Sequence, residues 1–333
     1  MRKLKPSVIW LIAAIGGCTN GWVADALAQS YPVRPIHLIV GYSPGGGTDV
    51  TARLLAQKLS ENLDQSVVVE NRPGASGMVA LEKVIKSSPD GYTLLLMTSN
   101  DTIVPALRSI PYDLERDMAP VSLVATGPLM VLVNPALPAH SIEELIALAR
   151  KEPGKLSFGS PGLGTSPHLA GVLFNSMAGV NIVHVPYRGS AESVLATAAG
   201  QIDMSFASVT SALPLLDAGK AKPDAVKVTP LAVTSAKRAS SAPSVPTLDE
   251  AGLPGFDLFS WYGVVGPVGI SKEILARLNA AIGKVVNTPE MKDAFNKQGL
   301  EAQTDTLEQF TAFIHSEIVR NAKLIKSSEV NTK

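Results

Sequence analysis

Read for its apolar and polar positions, the chain falls into short apolar runs followed by helical spacings. Ile36-His37-Leu38-Ile39-Val40 predicts a buried strand. Pro44-Gly45-Gly46-Gly47 then turns the chain, and Val50, Leu54, Leu55, Leu59 and Leu63 fall on one face of a helix. Val67–Glu70 predicts a second strand, 71–77 a second glycine-rich turn and 78–86 a helix. Thr93–Met97 is a third strand, ending in the polar run Thr98-Ser99-Asn100-Asp101. Two more strands, Val121–Ala125 and Leu129–Val133, flank Gly127-Pro128.

There the pattern restarts. Ser141-Ile142-Glu143-Glu144 has the spacing of a capping box and opens a helix to about Lys151. Leu156–Gly159 is a strand, and Ser160-Pro161-Gly162-Leu163-Gly164-Thr165-Ser166 is a turn feeding a helix over 167–178. Ile182–Val185 ends in Pro186-Tyr187-Arg188-Gly189, and Ser190 is expected to cap a helix to about Ala199. Strands follow at Ile202–Phe206, ending in Ala207-Ser208, and at Thr229–Val233. Ala242–Pro246 reads as a surface segment, Thr247–Glu250 as another capping box and Trp261–Val265 as a strand returning to the first half. The tail is helical, with Ile274, Leu275, Leu278, Ile282 and Val285 on one face and Phe310, Phe313, Ile314 and Ile318 on another.

Strands alternating with helices predict parallel sheets with helices on both faces. Pro44-Gly-Gly-Gly-Thr48 is echoed by Pro161-Gly-Leu-Gly-Thr165, so the chain reads as two similar lobes, each with a sheet and a glycine turn. A strand, a glycine turn and a helix point free backbone N–H groups and a helix dipole at one spot, which suits an anion. Open α/β sheets bind ligands at the carboxyl ends of their strands.

Composition narrows this. The 333 residues are 46% apolar and 17% charged with a formal net charge of zero, which fits a folded two-lobe chain. It argues against nucleic acid and anionic membrane surfaces. Arg2, Lys3 and Lys5, the apolar Val8–Ile15 and the small-x-small Ala26-Leu27-Ala28 predict a signal peptide over 1–28, cleaved after Ala28, and a periplasmic protein. A retained anchor is the bland alternative. Ile15-Gly16-Gly17-Cys18 resembles a lipobox and would leave Cys18 lipid-modified instead. Cys18 is the only cysteine, so cleavage after Ala28 leaves a mature chain without thiol or disulfide.

Familiar chemistries fail on their residues. Gly47-Thr48-Asp49 lacks the Lys of a phosphate loop, and Gly162-Leu163-Gly164 does not continue as a dinucleotide fingerprint. There is no G-x-S-x-G elbow. The five histidines, His37, His140, His168, His184 and His315, form no metal motif. No cofactor or metal is expected. Asp49 is either a first-turn acid that suits the helix dipole or a carboxylate facing a ligand. Asp203, inside an apolar strand, is either a hydrogen-bond hub or a pocket acid. His168 is a pocket wall or part of a helix cap. Arg188 is an exposed charge or a partner for a ligand carboxylate.

Several stretches together resemble the Bug-type extracytoplasmic solute receptors of tripartite tricarboxylate transporters. They are Tyr31–Ile36, Pro44–Asp49, Glu70–Ala75, Asp90–Leu94, His184–Gly189, Leu231–Ser235 and Trp261–Gly263. The resemblance implies an α/β fold of two Rossmann-like lobes joined by a hinge, as in type II periplasmic binding proteins (a Venus flytrap). Lobe 1 would comprise 29–128 plus 256–333 and lobe 2 129–255. A small carboxylate would lie in the cleft, held largely by backbone amides and water, and pass to the permease subunits of the transporter. The matching positions are Tyr42, Ser43, Gly45, Gly46, Gly47, Thr48 and Asp49 in the first turn. In the second they are Gly162, Gly164, Thr165, Ser166 and His168, with Ser99, Tyr187, Asp203 and Ser208 added. Gly41-Tyr42-Ser43 and Ala75-Ser76-Gly77 depart from the family's usual Pro-Phe and Ala-Gly-Gly, which leaves the solute open. A monomer is expected, and no enzyme. A sensory receptor feeding a two-component regulator, or a periplasmic enzyme acting on a carboxylate, are the other classes.

Overall fold

The computed structural model describes residues 31–107, 109–221 and 227–327. The segment 1–28, expected to be a signal peptide, and Cys18 within it lie outside the described residues. No helix among the described residues is long and apolar enough to cross a membrane.

In chain order the first half is β1 (Ile36–Val40), α1 (Gly47–Leu63), β2 (Val67–Asn71), α2 (Met78–Ile85), β3 (Thr93–Thr98), α3 (Ser99–Leu107) and α4 (Leu114–Asp117). The long β4 (Met118–Val133) leads to α5 (Ile142–Lys151), β5 (Ser157–Ser160), α6 (Ser166–Ala178), β6 (Val183–Pro186), α7 (Ser190–Ala198), β7 (Met204–Ser208), α8 (Val209–Ala221) and β8 (Thr229–Val233). The chain closes with β9 (Phe259–Pro267), α9 (Lys272–Val286), α10 (Pro289–Lys297), β10 (Glu301–Ala302) and α11 (Leu307–Ser327).

The strands run in the order β2-β1-β3-β9-β4-β7-β5-β6, with β8 and β10 also paired to β4. Parallel pairing holds within β2-β1-β3 and within β6-β5-β7, as alternation of strand and helix requires. Between these triplets β9 and β4 run antiparallel to their neighbours, so the sheets are mixed where wholly parallel ones were expected. Alternate side chains of one strand go to opposite cores. Ile36, Leu38 and Val40 pack under α1 with Leu55, Leu59 and Ile282, whereas Ile39 joins Leu81, Leu95, Met97, Trp261 and Phe310 on the other face. Burying each such side chain stabilises by roughly 1.5–3 kcal/mol.

The two strands expected around Gly127-Pro128 are one. Gly127 and Pro128 stay paired, opposite Ser260 and Phe259 of β9, and at Leu129 the strand takes β7 as its neighbour. Proline lacks the N–H that a central strand needs, and here it sits at the exchange of partners. Gly127 is required by close approach, since a Cβ there would lie 2.5 Å from Leu300 Cδ2. The sheet edge-on halves therefore share a backbone strand. The cores interlock as well, because Ile103 of α3 and Ile325 of α11 lie in the cluster built on β5, β7 and α6.

Helices α3, α4 and α8 were not expected from the pattern, and α10 falls within the tail expected to be helical. Thr306 and Gln309 form a capping box that opens α11, with Thr306 N donating to Gln309 Oε1 (3.0 Å) and Gln309 N to Thr306 Oγ1 (3.2 Å). The box at Thr247 forms the same reciprocal bonds with Glu250 at 2.9 and 3.0 Å, but the chain only turns there and no helix follows.

Candidate functional site

The first turn is set by what lies behind it. Asn71, at the end of β2, donates its side-chain amide to the Tyr42 carbonyl (3.0 Å) and to Asp49 Oδ1 (2.9 Å). Asp49 Oδ2 accepts from Gly45 N (2.9 Å) and from Arg53 Nε (2.9 Å). Burial works against the charge of Asp49, but the bonds from Arg53, Gly45 and Asn71 outweigh it and hold the carboxyl below its ordinary value. The acid thus ties the turn to its own helix and to β2, and it does not line the cavity described below. Gly46 is the N-cap of α1 and supplies no side chain to cap it. Gly46, Gly47 and Thr48, at the start of α1 where the helix dipole is positive, line the cavity.

That cavity is about 340 Å³ and lies between the two sheets. One wall is the turn from Tyr42 to Thr48, and the floor is Thr98, Ser99 and Asn100 at the carboxyl end of β3, with Ser260, Trp261 and Tyr262 of β9. The opposite wall is Arg188 to Glu192, at the start of α7, with Ser208 and Ser211 beside it. Helix α7 has the same peculiarity as α1: its N-cap is Gly189, with no side-chain cap. Ser190, expected to be the cap, is the first helical residue. Two uncapped helix N-termini therefore meet one cavity. Arg188 is exposed at its rim, and its backbone N is taken by Glu192 Oε2 (3.0 Å).

The second glycine turn is built differently. Thr165 caps α6 through a bond from His168 N to its Oγ1 (3.4 Å), and its own hydroxyl donates to the Gly162 carbonyl (2.7 Å). Ser166 N donates to Asn100 Oδ1 (2.7 Å), and Ser166 Oγ lies 2.7 Å from Ser99 Oγ. Asn100 Nδ2 donates in turn to the Tyr42 hydroxyl (2.7 Å), and Ser76 Oγ donates to the Leu163 carbonyl (3.1 Å). The donors at the start of α6 are thus used in contacts between the halves of the molecule. Burial keeps the phenols of Tyr42 and Tyr262 protonated, Tyr262 being pushed up to about 12. Asp101, buried behind Asn100 and bonded by Thr98 N (2.7 Å), is raised by desolvation to about 6.

Of the residues singled out from sequence, Tyr42, Ser43, Gly45, Gly46, Gly47, Thr48, Ser99 and Ser208 line the cavity. Asp49, Gly162, Gly164, Thr165, Ser166, His168, Tyr187 and Asp203 do not. Gly162 and Gly164 have φ of +113° and +78° and serve the shape of the turn. His168 is buried against His184, ring centroids 4.5 Å apart, and desolvation first, then its neighbour, lowers it to about 4. His184 is likewise lowered by burial to about 4 and bonds Ser160 Oγ at 2.7 Å. Tyr187 donates only its backbone N to the Ser160 carbonyl (2.9 Å). Asp203 Oδ2 accepts from Ser157 N and Oγ, both at 2.8 Å, and is a structural hub joining β5 to β7.

Sequence reasoning missed Asn100, Ser211, Ser260, Trp261, Tyr262 and Gly189 to Glu192. For α7 a signal was present, because Gly189 before a helix without a capping side chain marks exposed amides. The β9 residues were expected only as a returning strand within the family resemblance, since it is antiparallel pairing across the sheet that brings them to the cavity. Among the described residues no group of His, Cys, Asp and Glu is arranged to hold a metal ion.

A family model described as the tripartite tricarboxylate transporter family receptor matches residues 51–330. BugT of Bordetella pertussis (strain Tohama I) is similar to this chain at 36% identity over 328 residues, covering 97% of this chain and 98% of that protein. Among solved structures, R. palustris Rpa4515 with adipate shares 35% identity at a TM-score of 0.84, over 90% of this chain and 98% of that one. MatC from Rhodopseudomonas palustris with bound malate shares 26% identity at a TM-score of 0.78, over 89% and 100%.

Proposed function

The chain belongs to the tripartite tricarboxylate transporter receptor family, and from that premise we propose that it captures a small carboxylate between its two lobes and hands it to the membrane permease of such a transporter. The observation that carries this reading is the pair of uncapped helix N-termini, of α1 and α7, facing one cavity of about 340 Å³. A cavity of that size suits a small molecule, and backbone N–H groups at positive helix ends suit an anion. Relatives solved with adipate and with malate support the carboxylate.

In this reading α1 grips one carboxylate by its free amides and the far end of the ligand meets α7 and Arg188. Three or four amides contribute about 4.5–12 kcal/mol at roughly 1.5–3 kcal/mol each. Micromolar binding needs about 8 kcal/mol net, after an association cost of at least about 4. One turn alone is therefore marginal, and both walls are needed. The lobes are 29–128 with 256–333 and 129–255, exchanging partners along β4. The receptor works outside the cytoplasmic membrane as a monomer, with residues 1–28 as its export signal, and releases its ligand chemically unchanged.

Thermal-shift screening of the purified protein against mono-, di- and tricarboxylates, amino acids and aromatic acids tests the reading. A selective carboxylate raises the melting temperature in a concentration-dependent way. A panel in which no carboxylate does so, or one whose ligand is recovered converted to a product, refutes it.

A further inference from the structure

Tyr262 is divided between two environments. Its ring belongs to the core beneath α1 that also holds Val40, Ala52 and Leu55, and the residue is 4% exposed. Its hydroxyl comes out at the first residue of that helix: a Cβ built on Gly47 would stand 3.2 Å from it. Among the described residues no hydrogen bond of that hydroxyl is found, and it is not one of the fully enclosed polar atoms without a hydrogen bond, which are Ser205 Oγ, Ser241 Oγ and Arg320 Nε. A buried tyrosine normally finds one for its O–H, and an exception calls for an explanation. The hydroxyl borders the cavity, so the missing partner lies on the cavity side.

The backbone places it there deliberately. Tyr262 pairs with Thr98, the last residue of β3, on one side and with Ala125 of β4 on the other. Between Leu123 and Ala125 the β4–β9 register shifts, leaving Val124 as an extra residue opposite the Tyr262–Gly263 step. Bulges of this kind redirect a side chain within a strand. The phenol is held in its protonated form by burial, so it is a donor at any physiological pH.

We infer that Tyr262 is a ligand-contacting, specificity-determining residue whose hydroxyl donates to the anion held at the N-terminus of α1. This rests on the carboxylate reading of the same cavity. The cradle is then backbone amides plus one neutral hydroxyl, and it selects an ionised acceptor over an amide or an ester, whose oxygens carry less charge.

The test is Tyr262→Phe, which keeps the ring and removes only the hydroxyl. Binding of adipate and of malate is measured by calorimetry on both proteins, with the melting temperature of each free protein alongside. If the wild-type protein binds either acid, the variant binds it about tenfold or more weakly, the loss expected for a hydrogen bond to a charged group. Its free-state melting temperature stays within a degree or two of wild type, because no protein bond is lost. Equal affinity overturns the inference and leaves the carboxylate reading standing. A clear fall in free-state stability also overturns it, by showing that the hydroxyl serves the fold. A wild-type protein that binds no carboxylate removes the reading, and the inference with it.

Discussion

Pro44–Thr48 and Pro161–Thr165 are spelled almost alike, yet they end in opposite states. In the first, the helix starts at Gly47, so Thr48 is already inside it and Gly46 leaves the N-terminus uncapped. In the second, the helix starts at Ser166, so the corresponding Thr165 is the N-cap and its hydroxyl closes the turn on itself. A shift of two residues in where the helix begins decides which turn keeps free donors. The remaining donor of the second turn, Ser166 N, goes to Asn100. The first turn is open toward the cavity, and the second is bonded across to Asn100, Ser99 and Ser76.

The largest expected effect breaks the first turn alone. Gly46 has φ −80° and ψ 168°, an ordinary extended conformation, and a Cβ there would meet only the Ser43 carbonyl at 3.7 Å. Nothing in the fold demands glycine, so Gly46→Val leaves a folded protein whose bulk fills the cradle. Its carboxylate affinity, measured by calorimetry, drops by about a hundredfold or more, roughly 3 kcal/mol. Retained affinity would count against the first turn as the grip.

Acid should break the second turn first. His168 accepts from Gly164 N (3.4 Å) and is held neutral, lowered from its ordinary value to about 4. In the unfolded chain it takes up a proton near pH 6.5. Native stability is therefore whole above about pH 6.5 and falls as pH drops toward 4, by about 3 kcal/mol for His168. Asp101, raised to about 6, opposes this in part, since the folded state binds its proton before the unfolded one does. Melting temperatures from pH 7 to 4 measure the balance. The double variant His168→Gln, His184→Gln flattens the fall. The first turn has no such group, because Asp49 stays ionised through this range.

Gly164→Val is the mirror of Gly46→Val. Its φ is +78° and a Cβ would stand 3.0 Å from Leu107 Cδ1, so denaturant unfolding should show a loss of about 1–3 kcal/mol. Smallest is Asn100→Ala, which leaves Ser166 N without its acceptor. Amide exchange at Ser166 should quicken about fivefold, for about 1 kcal/mol. Unchanged exchange would return that amide to the cavity.

Much of this was legible in the sequence, because it is local. β1, the first glycine turn and α1 follow from apolar spacing and three glycines. The unbroken apolar run Ile36–Val40 marked β1 as a buried strand, which it is. What was illegible is what depends on distant chain. The direction of Asp49 is set by Asn71, 22 residues on. The place of Tyr262 is set by β3 and by a bulge in β4. The fusion of two expected strands into β4 depends on β9, which holds Gly127 and Pro128 in register.

That shared strand constrains how such receptors diversify. The chain leaves one sheet for the other along β4, returns along β9, and ends with α11 against the far core. Exchanging a whole lobe between two relatives would mean matching three crossings at once, each buried. New solutes are reached more easily by single substitutions around the cavity rim, and inheritance of the lobes as one piece is what the architecture favours.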